Sequence, residues 1–260
     1  MIKLTTLQEY LDNYLYFDKN LKVEKIDPYM TNGLMVKGRE DVRKIGFGVS
    51  ASLALFEKAK HEKCDAIIVH HSFNLPAFNR YDSIYQGRIG FLIKNEISLF
   101  GYHFLLDAHP EVGHNVQILK TIGAKPTKLY LHRGDPWGWI GEFAKETDFS
   151  IIEKKLQPFI SKRSIVYPFG KSKIKRVVAI SGKGAPVAGD MHDLNEQKID
   201  LFITGEVHEW NRELFREAKI NFIAGGHYAT EKLGLKALME KLKNHFPNVA
   251  IKWLELLNEI

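Results

Sequence analysis

The hydrophobic pattern changes period several times along the chain, and each change marks an element. Leu7, Tyr10, Leu11, Tyr14 and Leu15 fall on one face of a helix. Thr6 and Glu9 are spaced as a capping box at its start. Arg43 to Ser50 reads as an apolar strand running into a small-residue turn, and Ala51 to Lys60 has helical spacing. Cys64 to His71 is apolar on both faces, which predicts a parallel strand covered on both sides. Lys175 to Gly182 and Ile199 to Glu206 repeat this strand pair, with a crossover helix expected around Leu194 and Glu196. Glu231 to Phe246 reads as a long amphipathic helix, and Val249 to Leu256 as a last strand.

The two halves carry the same order of elements. Asp65 aligns with Asp200, and His71 with Glu206. Ile97 to His103 is a strand reaching a histidine, with Asp107 four residues on; Ile220 to His227 is another, with Glu231 four residues on. The expected fold class is α/β, built as two similar halves with mixed sheets flanked by helices. Gly123-Ala124-Lys125-Pro126 is the linker candidate. It divides the chain into residues 1–125 and 126–260, with the last helix packing on the first half.

Composition narrows the function classes. A chain of 260 residues is long enough for two compact units. No stretch approaches the roughly 20 apolar residues that span a bilayer, and Met1 to Leu15 lacks the basic start and apolar run of a targeting segment. A soluble, cytoplasmic protein is expected. Cys64 is the only cysteine, so an internal disulfide and a Cys-rich zinc site are excluded. The net charge of +6 admits an acidic small molecule or nucleic acid. The densest basic patch, Lys171, Lys173, Lys175 and Arg176, reads first as a solvated loop beside a strand. With no aromatic interleaving, nucleic acid is disfavoured as a partner.

In open α/β sheets, ligands bind beyond the carboxyl ends of the strands. There the chain places His70 and His71, His103 and Asp107, Glu206 and His208, and His227 and Glu231. Imidazole with carboxylate suits Zn, Fe, Mn, Co or Ni. His227 and Glu231, at i and i+4, would share one helix face and chelate. His103 and Asp107 have the same spacing. Neighbouring strand residues point to opposite faces, so His70 and His71 can both ligate only if the strand ends and the chain turns, which Asn74, Leu75 and Pro76 allow. Taken alone, a His-His pair is more commonly a satisfied surface pair. His61, His114, His132, His192 and His245 have no such setting.

At these residues the sequence resembles the Nif-three-like dinuclear-metal proteins, also called GTP cyclohydrolase 1 type 2 homologues. The resemblance spans nearly the whole chain. It rests on Asn32-Gly33-Leu34, Val49-Ser50-Ala51-Ser52, Ile67 to His71, His103 to Asp107 with Gly113 and Asn115, Thr204-Gly205-Glu206, and Gly226-His227-Tyr228 with Glu231. It implies that His70, His71, Asp107, His227 and Glu231 ligate two divalent transition-metal ions in a cleft between the halves. It implies, too, a ring-shaped homohexamer. Phe104 stands where the family commonly has Thr, and Ser72-Phe73 replaces a small residue; neither change removes a ligand. His103 and His208 are expected in supporting positions around the ligands, with Glu206 as candidate catalytic base. Two functions follow from different classes: a metal-dependent hydrolase of a nucleotide-like or other small substrate, or a non-catalytic hexameric metal-binding or regulatory scaffold.

Overall fold

The computed structural model describes residues 1–30, 32–73 and 81–260. The expected turn at Asn74, Leu75 and Pro76 lies outside the described residues. In chain order the elements are β1 (Ile2–Lys3), α1 (Leu4–Leu15), α2 (Val23–Ile26), β2 (Gly33–Val36), β3 (Asp41–Val42), β4 (Lys44–Ser50), α3 (Leu53–His61), β5 (Ala66–His71), α4 (Ser83–Lys94), β6 (Ser98–Gly101) and α5 (Phe104–Ala108). There follow α6 (His114–Ile122), β7 (Lys125–His132), β8 (Asp135–Asp148), α7 (Phe149–Leu156), β9 (Ile165–Tyr167), β10 (Lys173–Ile180), α8 (Asp190–Glu196), β11 (Leu201–Thr204), α9 (Asn211–Ala218), β12 (Asn221–Ala224), α10 (His227–His245) and β13 (Ala250–Trp253). The protein is a mixed α/β fold. No helix among the described residues is long and apolar enough to cross a membrane.

Contacts group the chain into two units. The first comprises Met1–Leu106 and Leu235–Leu257, the second Asp107–Gly234 and Asn258–Ile260. The division therefore falls at Asp107 and Leu235, not at the expected linker. Gly123 instead caps α6 with φ +90°, and Lys125 and Pro126 already belong to β7. A glycine followed by a proline marks a helix stop as readily as a domain boundary.

In the first unit the sheet order is β13-β4-β5-β6-β2. Strands β13, β4, β5 and β6 are parallel, and β2 runs antiparallel to β6. Leu55, Phe56, Ile67, Val69 and Leu99 pack into one buried cluster. Helix α1 begins at Leu4, directly after β1 pairs with β3, and buries Leu4, Leu7, Leu11 and Leu15. Its cap is Lys3, with no side-chain hydrogen bond, so Thr6 lies inside the helix and the expected capping box is not used. The bond from Leu4 N–H to Glu40 O fixes the entry instead.

In the second unit the order is β7-β8-β10-β11-β12-β9, with β10, β11 and β12 parallel. Val177, Ala179, Leu201 and Ile203 pack on one face; Val178, Ile180, Phe202 and Phe222 pack on the other. This is the period-two burial that a strand covered on both sides requires.

The internal repeat extends to hydrogen bonds. Asp65 Oδ2 accepts from Arg43 N–H and Lys44 N–H at 2.8 and 3.1 Å; Asp200 Oδ2 accepts from Lys175 N–H and Arg176 N–H at 2.7 and 2.9 Å. Each carboxylate thus anchors the start of the neighbouring parallel strand. Gly38 N–H donates to Ser98 Oγ and Gly170 N–H to Asn221 Oδ1, both at 3.0 Å. Lys63 and Lys198 take matching left-handed conformations, φ 57° and 52°.

Replacing Asp200 with Ala strands two backbone donors at a half-buried edge. An unsatisfied buried donor costs about 1–3 kcal/mol. Urea denaturation of Asp200→Ala should show a lower midpoint with an unchanged slope. An unshifted midpoint would remove Asp200 as an anchor of β10.

Candidate metal centre

The first unit gathers three imidazoles. His70 and His71 close β5, and His103 follows β6, the strand beside it. Ring centroids lie 4.7 Å apart for His70–His71 and His70–His103, and 5.5 Å for His71–His103. One nitrogen from each of the three lies within 4.8 Å of the others. Both histidines belong to β5, which ends at His71 as the sequence required, and the turn expected beyond it lies outside the described residues.

Hydrogen bonds set the tautomers of two rings. His70 is fully buried, and its Nδ1 lies 2.9 Å from Tyr102 O. A carbonyl only accepts, so Nδ1 carries the proton and Nε2 keeps its lone pair. His103 Nδ1 lies 2.7 Å from Asp27 Oδ2, a buried carboxylate that also accepts from Phe104 N–H. This pairing likewise leaves Nε2 as the basic nitrogen. Asn32 Oδ1 accepts from His103 N–H and Leu105 N–H, which fixes the backbone beneath the ring. His71 Nδ1 lies 3.0 Å from Ser50 Oγ, across the β4–β5 pair.

The second unit has carboxylates and an imidazole of its own. Asp107, in α5, is buried, and its Oδ1 accepts from Ser181 Oγ at 2.9 Å. Asn115 ties this corner together. Its amide donates to Asp107 O and Trp137 O, and its Oδ1 accepts from Ser181 N–H. Gly113 is required before it, because a Cβ there would strike the backbone of His109 and Asp107. His227 and Glu231 open α10 with Nε2 and Oε1 3.0 Å apart, the i, i+4 pair expected of a helix start. Glu206 Oε1 holds the other ring nitrogen, Nδ1, at 2.6 Å. The residue expected as a base is thus hydrogen-bonded to a histidine of the donor set.

The ends of β10, β11 and β12 interlock around this pair. Gly205 N–H and Glu206 N–H both donate to Gly182 O, and Gly182 N–H donates to Thr230 Oγ1. Gly182 has φ +58°, and a Cβ there would collide with Glu231 Oε1 and lie 3.1 Å from His227 Nε2. The backbone makes room for the His–Glu pair. Burial alone would lower the His227 pKa; the Glu231 and Glu206 carboxylates outweigh burial and raise it to about 9.

Two residues stand apart from the expected assignments. His208 stacks on Trp210, with centroids 4.7 Å apart, and belongs to none of the candidate donor groups among the described residues. His114, set aside in the sequence, is fully buried and has a ring nitrogen within 4.8 Å of a carboxylate oxygen of Asp107. Its Nδ1 accepts from Gly234 N–H at 3.0 Å, so Nε2 carries the proton and is a donor. The only hint in the sequence was its place between Gly113 and Asn115.

Taken unit by unit, the donor chemistry fits a transition metal: imidazole Nε2 lone pairs fixed by bonds at Nδ1 in the first, and an imidazole paired with a carboxylate in the second. Two outcomes follow for the protein held in chelator. A histidine whose folded pKa is raised from about 6.5 to about 9 contributes stability that is complete below 6.5 and lost as pH rises towards 9. The melting temperature should fall over that window, and Glu231→Gln should flatten the fall; equal slopes would refute the pairing. Gly182→Ala should destabilise by about 1–3 kcal/mol from its left-handed backbone alone, and a urea midpoint equal to wild type would show the cradle to be loose.

The chain is similar to known proteins along most of its length. The sequence model of Duf34/NIF3 (NGG1p interacting factor 3) matches residues 9–258. A GTP cyclohydrolase 1 type 2 homolog of Archaeoglobus fulgidus is 35% identical over 229 residues, covering 88% of this chain and 90% of that relative. One from Pseudomonas aeruginosa is 35% identical over 248 residues, 94% of each. Among solved structures, protein ybgI, described as of unknown function, superposes with a TM-score of 0.83 at 31% identity over the whole of both chains. Reduced HcgD from Methanocaldococcus jannaschii shares the fold, with a TM-score of 0.82 at 22% identity over 98% of each. The match along nearly the full length establishes that the chain belongs to the Duf34/NIF3 family.

Proposed function

We propose that this protein holds two divalent transition-metal ions through His70, His71, Asp107, His227 and Glu231, and acts as a metal-dependent hydrolase on a nucleotide-like or other small substrate. The observation that carries this reading is the clustering of His70, His71 and His103 with the Nδ1 protons of two rings committed elsewhere. Three imidazoles so close together would repel one another if protonated, so they favour a bound cation. When bound, such ions would supply Lewis acidity to a substrate.

The chain's own residues prepare the ligands. Glu206 orients His227, the Ser181 hydroxyl satisfies Asp107 Oδ1, and Asp27 orients His103, a supporting ring packed against the ligands His70 and His71. Supporting carboxylates of this kind raise the basicity of the ring they hold. The hydrolase part of the proposal is supported by the names of the relatives, GTP cyclohydrolase 1 type 2 homolog. A homohexameric ring belongs to the same proposal and rests on the family resemblance.

Elemental analysis after reconstitution should find two transition-metal ions per chain. Asp27→Asn and Glu206→Gln should each weaken metal retention roughly 10- to 100-fold, the usual effect of losing an orienting partner. No uptake by the wild type overturns the metal reading. Uptake without turnover of GTP, other nucleotides or phosphoesters leaves the metal sites and removes the hydrolase.

A further inference from the structure

The internal repeat provides a comparison within one chain. At the starting edge of β10 and β11, each cation of the basic patch is engaged. Lys171 lies 3.1 Å from Asp200, Lys173 3.0 Å from Asp148, and Arg176 2.8 Å from Glu142. Lys175 donates its ammonium to the carbonyls of Phe143 and Ala144. The corresponding edge of the first unit is different. Its anchoring carboxylate, Asp65, is already satisfied by two backbone N–H groups and lies 3.4 Å from Arg39, which also reaches Glu96.

Around Asp65 is a cavity of about 520 Å³. Buried Cys64 and Ile97 line it, and Arg43, Lys60 and Lys63 stand exposed at its mouth. Among the described residues Arg43 and Lys63 make no ion pair, and the Lys60 ammonium has only the Phe91 ring, 5.8 Å away. The acid nearest in sequence, Glu62, is taken by Lys44 and Lys252. Arg43 occupies the position of Lys175 in the repeat, but among the described residues no carbonyl takes up its charge. Lys60 occupies the position of Asn195, which is neutral.

We propose that this cavity is a binding site for a phosphorylated small molecule. Arg43, Lys60 and Lys63, which form no ion pair among the described residues although Asp41 acts on Arg43 at longer range, supply the positive charge that a diphosphate or triphosphate group requires, and Arg and Lys are the side chains that recognise phosphate oxygens. The volume lies within the usual range for small-molecule sites. The Cys64–Ile97 wall offers apolar surface to the rest of the ligand. A concave pocket, unlike an open basic stripe, favours a small ligand over a nucleic acid strand. The site is separate from the histidine cluster: Asp65 precedes β5 and His71 ends it, roughly 20 Å away along the strand.

The test is calorimetric titration of the full-length protein with inorganic pyrophosphate and with ATP at fixed ionic strength. Saturable binding near one per chain is expected. Arg43→Glu and Lys63→Glu should each weaken it at least tenfold, the effect of losing a charge-assisted hydrogen bond. Lys173→Glu, an equal change of net charge, should leave it within about twofold, and His71→Ala should leave it intact. Lys60→Glu serves if either cavity variant fails to fold by circular dichroism. Absence of saturable binding overturns the proposal, as does equal weakening by Lys173→Glu, which would mean general charge attraction. Loss in His71→Ala would place the anion at the histidine cluster instead. Tighter binding of a single-stranded oligonucleotide through the same residues would overturn the small-molecule assignment.

Discussion

Parallel pairing of β4, β5 and β6, and separately of β10, β11 and β12, is the constraint on which the rest of the protein depends. Parallel strands all begin at one edge of a sheet and all end at the other. Residues far apart in sequence but each at or just past the end of its strand are therefore collected side by side. His71 meets Ser50 and His103 in this way, and Glu206 meets His227. The interior of each sheet is filled by apolar residues on both faces, so polar chemistry has only the edges to occupy.

At the finishing edges, the arrangement is tuned by partners at Nδ1. Tyr102 O and Asp27 each take one imidazole N–H and thereby fix which nitrogen keeps a lone pair, while Glu206 and Glu231 hold the two nitrogens of His227 between them. None of these partners could be moved without losing a ring orientation. Backbone geometry does equal service at Gly182 and Gly113, where a side chain would collide with the groups being positioned.

At the starting edges, the two units use the same scaffold for different ends. Asp65 and Asp200 anchor strands by the same pair of backbone bonds. The surrounding cations differ. In the second unit Lys171, Lys173, Lys175 and Arg176 are taken up by carboxylates and by the carbonyls of β8, and in the first Arg43, Lys60 and Lys63 surround an open cavity. The two units share the bonds that hold the strands and differ in the side chains at their ends.

The sequence by itself determined the local elements and the identity of most donors. Apolar runs such as Ile67-Ile68-Val69 allow few arrangements other than a buried strand, and the i, i+4 spacing of His227 and Glu231 fixes their shared face once a helix begins there. The repeat was legible because Asp65 and Asp200 precede similar strands. Tertiary structure alone decided what lies at long sequence separation. The bond between His114 and Gly234 spans 120 residues, and that between His103 and Asp27 spans 76, so no local spacing announces either. The division of the chain was hidden for the same reason: β13 joins β4 from the far end of the sequence, and no local breaker records that pairing. Hydrophobic periodicity reports which face of an element is buried, and only packing reports what it is buried against.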